Sequence, residues 1–217
     1  MKQPIRCFFS QFNLWGACAL FAFVALDLGC AKIAGLDDPV DPNSGLCNTY
    51  CDTVMSGCPD PSYVYATRDM CIGVCHQLEL AGKTGDPKDQ SGNTIYCRLY
   101  QAQQALSTAE RSTCPNAGPG GNNVCGTNCE DYCVLMQATC PTQFADPKYF
   151  FGNSLQICIS QCAGLPVLDG GFNADLQQGN NIDCRLYHIS AANASLDSRA
   201  VHCPHAAGDP PCQGPPP

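Results

Sequence analysis

Sixteen cysteines between residues 47 and 212 fall into two runs of eight with nearly the same spacing. No other feature constrains the fold as strongly. The first run reads Cys47-x3-Cys51-x6-Cys58-x12-Cys71-x3-Cys75-x21-Cys97-x16-Cys114-x10-Cys125. The second reads Cys129-x3-Cys133-x6-Cys140-x17-Cys158-x3-Cys162-x21-Cys184-x18-Cys203-x8-Cys212. Four of the seven intervals are identical, and the largest difference, 12 against 17, is one loop insertion. Other residues keep the register: Tyr50 with Tyr132, Pro59 with Pro141, and Pro115 and Ala117 with Pro204 and Ala206. The trio Arg98-Leu99-Tyr100 recurs as Arg185-Leu186-Tyr187. Such self-similarity marks an internal duplication of one supersecondary unit.

Cysteines at i and i+4 share one face of a helix, so each C-x3-C pair predicts a helix. A third helix in each repeat surrounds the C-R-L-Y motif. The fold class expected is all-α: two tandem disulfide-stapled modules of three short helices each, with irregular Gly/Pro loops. The helices are expected near 46–57, 68–80 and 94–107, then near 129–139, 154–164 and 181–195. Thr67, Asn93 and Ser154 are the expected N-caps. The organisation expected is a signal peptide over 1–29, an Asp/Pro-rich tether over 30–45, modules over 46–126 and 127–213, and a proline tail over 214–217.

Two antiparallel C-x3-C helices bridge outer cysteine to outer and inner to inner. This predicts Cys47–Cys75 and Cys51–Cys71, then Cys129–Cys162 and Cys133–Cys158. The remaining cysteines are then assigned as Cys58–Cys97 and Cys114–Cys125, with Cys140–Cys184 and Cys203–Cys212. Eight cysteines allow about a hundred pairings, so only the helical pairs rest on geometry. A module of this size buries little core. Each bridge contributes on the order of 3 kcal/mol through the unfolded state.

The N-terminal segment explains why the bridges can form. Lys2 and Arg6 precede an apolar run from Leu14 to Leu26, 13 residues that are too short to span a bilayer but fit a signal-peptide core. Gly29-Cys30 ends the segment as a lipobox does, making Cys30 the expected lipid-attachment residue. Loss of Cys7 and Cys18, with Cys30 acylated or removed, leaves an even sixteen, as full pairing in an oxidising compartment requires.

The start "GCAKIAGLDD", the C-x3-C helices, "CRLYH" and "HCPHA" together resemble cysteine-rich predicted lipoproteins of myxobacteria. The resemblance implies a bacterial cell envelope address, lipid-anchored to the outer membrane or secreted, and no reaction. The expected role is a structural or binding module there. Its expected partners are the membrane, through the lipid anchor, and an envelope protein or glycan ligand.

Several chemistries are weighed against the same residues. The chain carries 11 Lys+Arg against 19 Asp+Glu and lacks any basic run, which argues against nucleic acid. No G-x-S-x-G or H-E-x-x-H occurs, and parity leaves no free thiolate, so no enzyme is expected. "CIGVCH" ends in His76 and invites a haem reading. Its counterpart "CISQCA" keeps the cysteines without the histidine, so no cofactor is expected. No metal is expected either, although His188, His202 and His205 are the residues able to converge on one. Their counterparts in the first repeat are Gln101, Thr113 and Asn116, so a metal would be particular to the second repeat.

Overall fold

The computed structural model describes residues 45–61, 63–109 and 111–213. The expected signal peptide, Cys30, the expected tether up to residue 44 and residues 214–217 lie outside them. The described residues are all-helical and belong to one compact unit.

The first half contains α1 (Gly45–Gly57), α2 (Arg68–Leu80), α3 (Ile95–Thr108) and the single turn α4 (Cys114–Ala117). The second contains α5 (Asn128–Thr139), the short α6 (Pro141–Ala145), α7 (Leu155–Cys162), α8 (Ile182–Ala192) and α9 (Leu196–Ala207). Six of these match the six helices expected from the spacing. Thr67 and Ser154 cap α2 and α7 as expected, each accepting from a backbone N–H three residues on. The cap of α3 is Thr94, accepting from the Cys97 N–H at 3.1 Å, whereas Asn93 was expected. The Asn93 side chain is used instead to accept from Arg98 at 3.3 Å.

The helical hairpins are stapled as their geometry requires: Cys47–Cys75 and Cys51–Cys71 join α1 to α2, and Cys129–Cys162 and Cys133–Cys158 join α5 to α7. The other four pairs differ from the assignment. Cys58 joins Cys114 and Cys97 joins Cys125, rather than Cys58–Cys97 and Cys114–Cys125. Likewise Cys140 joins Cys203 and Cys184 joins Cys212, rather than Cys140–Cys184 and Cys203–Cys212. The reason is packing. α3 runs along α1, bringing the residues after it, not its own N-terminal cysteine, to the end of α1. Both halves therefore share one bridge pattern.

A buried tyrosine fixes the same junction twice. Tyr50 donates to the Ala117 carbonyl at 2.5 Å, and Tyr132 donates to the Ala206 carbonyl at 2.7 Å. The repetition of Tyr and Ala in the sequence thus records a hydrogen bond between the first helix of each half and its seventh-cysteine segment. Burial pushes the Tyr50 and Tyr132 hydroxyls up to about 12, so both remain donors at any physiological pH.

The halves merge into one core. Arg98 is fully buried, and its Nη2 lies 2.5 Å from Asp131 Oδ2 on α5, across the boundary between repeats. Its other nitrogens reach the carbonyls of Gly118 and Thr94. Arg185, the counterpart of Arg98, has the equivalent neighbours, the Ala207 carbonyl at 2.9 Å and Asn180 Oδ1 at 3.1 Å. Where Arg98 has a carboxylate, Arg185 has the ring of Phe150, whose centroid is 5.1 Å from its guanidinium carbon. Phe150 comes from the longer stretch between Cys140 and Cys158, so the insertion covers a cation that no third repeat follows among the described residues. Gly73 of α2 marks a second crossing: a methyl group there would stand 2.0 Å from the Asn193 carbonyl oxygen.

A buried charge stripped of its partner is costly. We therefore expect Asp131→Ala to lower unfolding free energy by about 3–5 kcal/mol, measured by denaturant titration of the oxidised protein. A loss under about 1 kcal/mol would contradict the placement of Arg98 in a water-free interior.

Candidate metal centre

The segment "HCPHA" lies outside the six helices expected from the spacing. The structure instead makes it the end of α9. The interval between the sixth and seventh cysteines is two residues longer in the second half than in the first. That extra length permits a full helix capped by Ser195, whose side chain accepts from the Ser198 N–H at 3.2 Å. Cys203, bridged to Cys140, pins the helix from below. His202 and His205 are one turn apart and face α8, where His188 projects from the C-R-L-Y-H motif.

The three histidines meet. Ring centroids are 5.1 Å apart for His188 and His202, 4.8 Å for His188 and His205, and 6.0 Å for His202 and His205. One ring nitrogen from each lies within 4.8 Å of the others. His188 is buried, while His202 and His205 are half-buried. The edge of Tyr187 lies beside the His188 ring, 5.0 Å between centroids. A cleft of about 410 Å³, lined by Asp175, Leu176, Gln177 and Gln178, opens at the residue that hydrogen-bonds His188.

The hydrogen bonds assign the tautomers. His188 Nε2 lies 3.3 Å from the Gln177 carbonyl, which can only accept, so Nε2 carries the proton. Its Nδ1 is then a bare lone pair, 2.8 Å from Nδ1 of His202, which donates to it. The arrangement is the usual second-partner device for a metal-binding imidazole: a carbonyl holds one nitrogen and frees the other. His205 Nδ1 is buried with no hydrogen-bond partner.

The first half supplies an internal comparison. Gln101 Nε2 donates to the Gln90 carbonyl at 3.0 Å, the counterpart of the His188–Gln177 contact. Thr113 donates to the Gln101 carbonyl at 3.2 Å, and Asn116 donates to Gln101 Oε1 at 3.2 Å. A polar triangle of Gln, Thr and Asn therefore satisfies this junction without any metal ligand. The second half replaces all three corners with imidazoles.

Burial holds His188 down to about 4, with the charges of His202 and His205 adding to the effect. His202 is lowered for the same reasons, burial first and then His205. At neutral pH both are uncharged, the form in which imidazole binds a metal. Asp209, just beyond α9, is held by Lys148 at 2.7 Å and by Tyr149 at 2.9 Å.

The other sequence candidates fall elsewhere. His76 Nδ1 sits 3.3 Å from Glu79 on the same helix. Cys71 and Cys75 are bridged to Cys51 and Cys47, so neither offers a thiol to a haem vinyl group. Asp131 and Phe150 were not singled out by sequence reasoning, and only Phe150 carried a signal, its place in the one long insertion. No protein-family model, curated protein or solved structure matches the chain.

His188 makes stability depend on pH in a defined direction. Its value is about 4 in the folded chain against 6.5 for a free histidine, so between these the unfolded chain binds more protons. Stability is fully present above pH 6.5 and falls as pH drops toward 4. Without added metal, the loss over this window should be on the order of 2 kcal/mol. His188→Gln, which installs the first-half residue, should flatten it. An unchanged slope in that variant would contradict the assignment.

Proposed function

We propose that this is a secreted or envelope protein whose second half binds a divalent late transition-metal ion through His188, His202 and His205. The bridges support the compartment, since eight disulfides require an oxidising environment. Lipid attachment at Cys30 is part of the proposal and rests on Gly29-Cys30 following the apolar run.

One observation carries the metal reading: three histidines replace a hydrogen-bonded Gln/Thr/Asn triangle at one site, and the replacement keeps the carbonyl that orients the first ring. Hydrogen bonding alone explains the first half and gives no reason for three imidazoles in the second. Imidazole nitrogens suit Zn²⁺ and Cu²⁺ and suit Ca²⁺ or Mg²⁺ poorly. At a zinc–nitrogen distance of about 2.0–2.1 Å, tetrahedral ligands stand about 3.3 Å apart. His188 and His202 at 2.8 Å need only open slightly, with His202 giving up its Nδ1 proton and taking one from solvent at Nε2, so that both rings stay neutral. Three protein ligands leave a fourth position for water, the pattern of an exchangeable rather than a purely structural site. This proposal departs from the sequence expectation of no metal: the sequence named the three histidines, and the structure gives the distances between their rings.

Calorimetric titration of the oxidised protein with Zn²⁺ should show one ion per chain. The triple variant His188→Gln, His202→Thr, His205→Asn rebuilds the first-half triangle and should keep the helical signal. Its affinity should drop by about 100-fold or more. Equal binding by the variant would overturn the site. For the anchor, Cys30→Ser should release the protein from the membrane fraction, and retention there would overturn lipid attachment.

A further inference from the structure

His188 belongs to a second group of potential ligands. The sulfurs of Cys184 and Cys212 and one ring nitrogen of His188 all lie within 4.8 Å of one another. Cys184 is one helical turn before His188 on α8, and its bridge to Cys212 brings the sulfurs under the ring. The equivalent bridge in the first half, Cys97–Cys125, has Gln101 in place of the histidine. At the position one turn after the helical cysteine of this shared bridge, the second half thus carries an imidazole where the first half carries an amide.

We propose that Cys184, Cys212 and His188 form a second, thiol-dependent metal site that is created when the Cys184–Cys212 bridge is reduced. A thiol reductant supplies two electrons and two protons to the sulfur–sulfur bond, giving two thiols and the oxidised reductant. Zn²⁺ then binds both sulfurs as thiolates, and the two protons pass to solvent. His188 contributes its neutral imidazole, and water completes the four ligands.

Charge and burial favour this arrangement. Both cysteines are fully buried, and a divalent ion in such a place must be neutralised. Two thiolates and one uncharged imidazole cancel its charge. The three-histidine set leaves the full double charge, and two of its rings, His202 and His205, are half-buried. Cys212 is followed by exposed Gln213. The preceding segment is tied back by the Gly179 N–H donating to the Pro211 carbonyl at 3.0 Å and by the Cys212 N–H donating to Asp209 at 3.0 Å. By linkage, a metal that binds only the reduced pair favours its reduction. The site goes beyond the three-histidine centre, sharing His188 with it but requiring neither His202 nor His205.

The test equilibrates the full oxidised chain in dithiothreitol redox buffers, with free Zn²⁺ held constant or removed by chelator. Acid quenching, alkylation and peptide mapping then report each bridge. Zn²⁺ at about ten times its dissociation constant should lower the reductant ratio that half-opens Cys184–Cys212 about tenfold, leaving Cys97–Cys125 unmoved. The shift should vanish in His188→Gln and persist in the double variant His202→Thr, His205→Asn. The proposal is overturned if Zn²⁺ does not move this bridge, if all eight bridges open together, or if the shift survives His188→Gln. Loss of the shift in the double variant overturns it as well. Zn²⁺ titration of the oxidised form in the same preparation reports on the three-histidine centre separately, so the two readings fail independently.

Discussion

The bridge between Cys140 and Cys203 holds the arrangement together where it matters. Cys203 stands between His202 and His205, so the same covalent link that fastens α9 to the end of α5 also aims two imidazoles at α8. Tyr132 adds a hydrogen bond to Ala206 on the next turn, and Cys184 anchors the start of α8. A small helical protein obtains little stability from core volume, and cross-links acting on the unfolded chain make up the difference. The consequence here is positional as well as energetic. Three flexible imidazoles are brought together on two helices that a bridge and a buried tyrosine prevent from sliding.

The two runs of eight cysteines share much and differ at particular places. Each half keeps the four bridges, the tyrosine-to-carbonyl hydrogen bond and an interior arginine on the helix that carries its sixth cysteine. The halves differ at their ends. In the first half the arginine reaches Asp131 in the following repeat; in the second it meets Phe150 from the chain's own insertion. The two-residue lengthening before Cys203 turns a short 3-10 turn and the single turn α4 into the twelve-residue α9. The three histidines thus lie in the half whose segment around the seventh cysteine forms the longer helix.

Much of this was legible in the sequence, for identifiable reasons. The four hairpin bridges follow from helix periodicity, because i and i+4 fix which sulfurs can meet. The other four do not: loops of 16 to 21 residues let Cys58 reach either Cys97 or Cys114, and only the run of α3 along α1 decides. α9 was hidden by Pro204, which lies inside the helix yet reads as a breaker in a sequence. Asn93 and Thr94 are both capping residues, and the arginine's demand for Asn93 left the cap to Thr94. The merging of the halves through Arg98 and Asp131, 33 residues apart, has no local signature. The three histidines were visible as residues, but their convergence depended on the unseen helix.

The central claim concerns which atoms surround the ion. X-ray absorption at the zinc edge, on oxidised protein loaded with one equivalent of Zn²⁺, measures this directly. The account predicts a first shell of nitrogen and oxygen only, at about 2.0–2.1 Å, with the outer-shell scattering of three imidazoles. A sulfur shell at about 2.3 Å in the oxidised protein, or the absence of imidazole scattering, would contradict it.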